Sequence, residues 1–147
     1  MSVIQFPNFI GADVYSYGGH VAPLLDDLRP GVVLISDDVC NDAVTIHRDC
    51  RTNPWLILRW HALNINVHTP EQAADYICAK AKTLMVLGIY CIAHGLNEQY
   101  RDRIRARDWE LQFIARCHDH WGVPTVCSNY AYANFNNDEA QDFKDVW

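Results

Sequence analysis

The sequence predicts an α/β fold built on an all-parallel sheet, and two observations carry that prediction. Short, nearly continuous apolar runs recur five times along the 147 residues, as expected of strands covered on both faces. Between them lie amphipathic stretches closed by Gly or Pro, with no hairpin signal, linker or low-complexity tract. Strand, crossover helix and strand again is the connection that builds a parallel sheet.

The first run, Phe9-Ile10-Gly11-Ala12-Asp13-Val14, precedes a short helix over 21–28 that Arg29-Pro30-Gly31 ends. The second, Gly31-Val32-Val33-Leu34-Ile35-Ser36, leads to a helix over 42–50, weakened by the β-branched Val44, Thr45 and Ile46. The third is Trp55-Leu56-Ile57-Leu58-Arg59-Trp60, and the clearest helix signal of the chain comes after it, over 69–87. There Thr69 caps, Pro70 takes the first helical position and Gln72 completes a capping box. Ala74, Ile77, Cys78, Ala81, Leu84 and Met85 form its apolar stripe, and Gly88 stops it. The fourth run, Ile89-Tyr90-Cys91-Ile92-Ala93-His94, precedes a helix over 102–121 that sets Trp109, Phe113 and Cys117 at four-residue steps. The fifth is Val123-Pro124-Thr125-Val126-Cys127-Ser128, and a last helix begins near Asp138.

Half the residues are hydrophobic and a fifth are charged, which suits one globular domain over 1–147. A net charge of −6 provides no positive field, so neither nucleic acid nor an anionic membrane is an expected partner. The basic run 101–107 is broken by Asp102 and followed by Asp108 and Glu110, and it reads as a solvated helix face. No apolar window reaches the roughly 18 residues of a membrane span, and the N-terminus lacks the pattern of a signal peptide. Of six cysteines, Cys91 and Cys127 fall in strand runs, while Cys78 and Cys117 lie on apolar helix faces. They read as buried free thiols, which points to a reducing, cytoplasmic compartment. No cofactor is implied. Gly18-Gly19 reads as a flexible loop, since neither a dinucleotide fingerprint nor a Gly-Lys-Ser/Thr accompanies it, and no serine-hydrolase elbow occurs.

The residues at the carboxyl end of each run bear on function. The first run ends at Asp13 and Tyr15, the second at Asp37 and Asp38, and the third at Arg59, Trp60 and His61. The fourth leads to His94, Asn97 and Glu98, and the fifth to Asn129, Tyr130, Tyr132 and Asn134. Polar or aromatic groups at every carboxyl end suit a (β/α)₈ barrel, whose active site draws on several strand ends. A doubly wound open sheet needs them only at its switch point, and it is the alternative here. A closed barrel takes roughly 250 residues, so the expected architecture is a partial or half barrel of five βα units. Trp60, Tyr130 and Tyr132 among carboxylates and amides suit the apolar face and hydroxyls of a pyranose. Any one of them taken singly reads more readily as a loop anchor, and it is the collection that points to a sugar.

Gly95-Leu96-Asn97-Glu98, directly after the fourth run, resembles the large group of retaining glycosidases on (β/α)₈ barrels in which an Asn-Glu pair closes strand four. The resemblance implies that Glu98 is the general acid/base and that Asn97 binds the 2-hydroxyl of the sugar. Arg59 and His61 match, more loosely, polar residues that those enzymes carry after strand three. The strand ends add Asp13, Asp38, Trp60, His94, Asn129 and Tyr130 as candidate substrate-binding residues, with no metal. Such chemistry needs one carboxyl kept protonated and a second kept ionised about 5–5.5 Å away. The chain departs from the group in having Gln99 where Pro is usual, and no counterpart of the nucleophile on strand seven is present. The expectation is therefore a carbohydrate-active domain incomplete as a catalyst alone. A missing C-terminal half or a second copy of the chain completes it, or it binds sugar without catalysis. Two rivals stand beside this reading. One is a non-catalytic domain for a small ligand or a subunit; the other is a metal-dependent hydrolase using His61 and His94.

Overall fold

Five apolar runs pair side by side as parallel strands. The structure, a computed structural model, describes residues 11–14, 21–96 and 102–126. Within them β1 (Gly11–Val14), β2 (Val32–Ser36), β3 (Trp55–Arg59), β4 (Cys91–His94) and β5 (Thr125–Val126) form one open sheet in that same order. Every pairing is parallel. The helices α1 (Val21–Leu28), α2 (Ala43–Asp49), α3 (Pro70–Val86) and α4 (Arg103–Ala115) are interleaved with the strands. A 3₁₀ turn, Asp37–Asp42, leads into α2, and a π-helical turn, Arg116–Trp121, continues α4. Phe9, Ile10, Cys127, Ser128 and the helix expected near Asp138 lie outside the described residues.

Local chemistry accounts for the best-defined helix. The Thr69 hydroxyl accepts the Gln72 N–H at 3.2 Å, and the Gln72 side-chain oxygen accepts the Thr69 N–H at 3.0 Å. This closes the capping box that the sequence predicts. Gly88 ends the segment in the left-handed region, at φ +83, where a side chain would strain the turn. The stripe of α3 is buried as expected at Ala74, Ile77, Cys78, Ala81 and Leu84.

The register separates the two faces of the sheet. Residues aligned across parallel strands point to the same side. On one side Val33, Ile35, Leu56, Leu58, Cys91 and Ala93 are all fully buried, and they share one core with Leu25, Ile46, Ile77, Phe113 and other helix residues. On the other side the aligned Leu34, Ile57 and Ile92 are only half-buried and stand outside that core. Among the described residues, therefore, helices cover one face, whereas the sequence led us to expect cover on both. We term this second face inner; in a closed barrel the residues so placed pack against their counterparts across the interior. Sequential strand order without a reversal is the winding that a barrel uses.

An ion pair ties the outer layer together. The Arg116 Nε and Nη2 donate to the two carboxylate oxygens of Asp75 at 2.8 and 3.0 Å, and the Trp121 Nε1 donates to Asp75 Oδ1 at 2.7 Å. The Arg116 guanidinium first, and the indole second, hold the Asp75 carboxyl below its ordinary value near 3.8. A carboxyl depressed in the fold stabilises it above the unfolded value and loses that contribution as pH falls through the folded one. Stability should thus hold from neutral pH to about 4 and fall below it. We expect the Asp75→Asn variant to have a lower melting temperature at pH 7 and a shallower acid limb, read by circular dichroism across pH. An unchanged limb would contradict the clamp.

Candidate functional site

The carboxyl end of the sheet is assembled on its inner face. Register places Ser36 of β2, Arg59 of β3, His94 of β4 and Val126 of β5 in one row, with Asp13 of β1 one layer below, level with Leu34, Ile57 and Ile92. Asp13 is exposed, Arg59 is half-buried, and His94 is 3% exposed. Asp13 and Arg59 both act electrostatically on His94. The structure thus brings together three of the residues singled out from sequence, each from a different strand.

The surroundings of His94 favour its neutral form. Burial is the largest influence and the Arg59 charge adds to it, outweighing the backbone carbonyl of Gly95 and the Asp13 carboxylate, so the imidazole titrates below the ordinary value of 6.5. Its Nδ1 lies 3.0 Å from the Gly95 carbonyl, which can only accept. The Nδ1 therefore carries the proton, and Nε2 is left as an acceptor.

The loops around this row are braced from the helix side. The Asp37 carboxylate accepts the His61 N–H on one oxygen and the Tyr76 hydroxyl on the other, both at 2.8 Å. Burial and that carboxylate push the Tyr76 phenol up to about 12. Trp60 stacks on Tyr76 at 4.3 Å and contacts the His68 ring at 4.2 Å. Its indole thus ties the loop after β3 to α3 through Tyr76. Asp38 is exposed on the 3₁₀ turn, where its N–H donates to Ser36 Oγ at 3.3 Å, and the His61 side chain is exposed. Among the described residues no group of three His, Cys, Asp or Glu is placed to hold a metal, His61 and His94 included. Asn97, Glu98, Asn129, Tyr130, Tyr15, Tyr132 and Asn134 lie outside the described residues.

One residue overturns a reading made from sequence. Glu110, expected on a solvated face, is completely buried. Its Oε1 accepts the Leu96 N–H at 2.7 Å, and its carboxylate rests against Gly95. A Cβ at Gly95 would lie 2.5 Å from Glu110 Oε2, so glycine is what permits the approach. The signal was present: Glu110 adjoins Trp109 and sits three residues before Phe113, within the buried stripe of α4. The charged residues beside it masked that stripe. The carboxylate holds the chain where it leaves β4, immediately before Asn97 and Glu98.

No match to this chain is found among protein-family models, curated proteins or solved structures.

Two measurements bear on this geometry. Gly95→Ala should destabilise the fold by about 1–3 kcal/mol in urea unfolding, because the added methyl drives the Glu110 carboxylate off its partner; a neutral effect would refute the packing. In an NMR titration the His94 imidazole should change charge below pH 6.5.

Proposed function

We propose that this chain is a carbohydrate-active domain of the retaining-glycosidase kind, which holds a sugar at the carboxyl end of its sheet and uses Glu98 as general acid/base. One observation carries the reading. The segment Gly95-Leu96-Asn97-Glu98 continues from the carboxyl end of β4, the fourth strand of an unbroken sequential parallel series. The resemblance requires that position, and the buried Glu110 fixes the first two residues of the segment.

The neighbouring groups suit the chemistry. Hydrolysis with retention needs Glu98 to give its proton to the departing glycosidic oxygen while an ionised carboxylate attacks the sugar carbon. Glu98 then takes a proton from the water that releases the sugar. The Arg59 cation favours ionisation of a carboxylate close to it. Asp13 is an exposed carboxylate on the same inner face and can serve as the attacking group, or a second chain can supply one. His94 Nε2, an acceptor, suits a sugar hydroxyl.

A second reading has its own observation. Leu34, Ile57 and Ile92 are incompletely buried on the inner face and Val126 is 37% exposed, which favours a domain that binds another subunit there.

Sugar binding is the first readout. Titrating monosaccharides and short oligosaccharides should perturb the NMR signals of His94 and Arg59, with Glu98→Gln leaving that binding in place. Where aryl glycosides are turned over, by the chain alone or in its complete assembly, Glu98→Gln should lower kcat by roughly 10²–10⁴-fold. Undiminished turnover in this variant would remove Glu98 from the chemistry, and no response to any sugar would leave the subunit-binding reading in its place.

A further inference from the structure

Cys78 on α3 and Cys117 on the π-helical turn are both completely buried, and their sulfur atoms lie 3.4 Å apart. Thirty-nine residues separate them in sequence, so nothing local obliges the contact; the packing of α3 against the end of α4 creates it. We propose that these two cysteines are a redox-active dithiol whose oxidation by hydrogen peroxide staples α3 to the α4–π segment through a disulfide.

The step balances. One thiol, as thiolate, attacks a peroxide oxygen and becomes a sulfenic acid as the O–O bond breaks and water leaves. The second thiol attacks that sulfur, the S–S bond forms, and the sulfenic oxygen departs as a second water. Two thiols lose two electrons and two protons, and one peroxide is reduced to two waters. The sulfurs, 3.4 Å apart, have to close to a bond of about 2.05 Å.

Geometry singles this pair out, because the two sulfurs already touch across the helix–helix seam. Cys117 also lies two turns beyond Glu110 on the same buried stripe. A covalent link there would stiffen the helix that holds the exit of β4. The π-helical turn around Cys117 and the Asp75–Arg116–Trp121 clamp beside it belong to the same helix–helix seam.

The test uses the full chain, reduced and then treated with dilute hydrogen peroxide under native conditions. Samples are alkylated in denaturant and mapped by peptide mass spectrometry without reduction. We expect a peptide pair joining Cys78 to Cys117, a loss of two alkylatable thiols, and a melting temperature raised by about 10 °C that dithiothreitol reverses. Cys78→Ala and Cys117→Ala, each checked for folding by circular dichroism, should abolish both the linked peptide and the redox dependence of melting. Sulfinic or sulfonic acid on either residue without linkage, pairing of either with another cysteine, or two thiols untouched after the peroxide is consumed would each overturn the proposal.

Discussion

Parallel pairing in strict sequential order constrains everything else in this molecule. When each strand is laid beside the last and every crossover turns in the same sense, the helices gather on one side of the sheet. That side becomes a dense core: six strand residues from β2, β3 and β4 are sealed under α2, α3 and α4. Among the described residues the opposite side is apolar in its middle and polar at its carboxyl margin.

The polar margin is stiff because it is held from behind. Asp37 links the 3₁₀ turn after β2 to the loop after β3 and to α3, and Trp60 lies against the same helix. Glu110 reaches from α4 to the backbone at Leu96. A fully buried carboxylate is an expensive group to keep inside a core. It persists here because its hydrogen bond to the main chain and the bare Cα of Gly95 give it a defined seat. The groups facing inward, Asp13, Arg59 and His94, are thus presented by loops and strands whose reverse sides are fixed.

Much of this was legible in the sequence. The capping box at Thr69 and Gln72, the stop at Gly88 and the stripe of α3 are local signals, and local signals survive into the fold with little change. The polar ends of the strands were legible for the same reason, because a strand's direction and the end of its apolar run are written along the chain. The burial of Glu110 was hidden, because composition reads a carboxylate among arginines as solvated and only the contact with Gly95, fifteen residues earlier, reverses that. The division into one covered and one half-open face was hidden too, because apolar residues on alternate positions look alike whether helices or an opposing barrel wall will cover them. Cys78 and Cys117 each read as a core residue; that they meet is a fact of helix packing, which spacing along the chain does not encode.

At the amino end of the inner face Trp55 and Tyr90 lie ring against ring, with centroids 4.1 Å apart. Two such large side chains at the foot of neighbouring strands cover one another, and truncating either ring would uncover the other and be felt as thermal fragility.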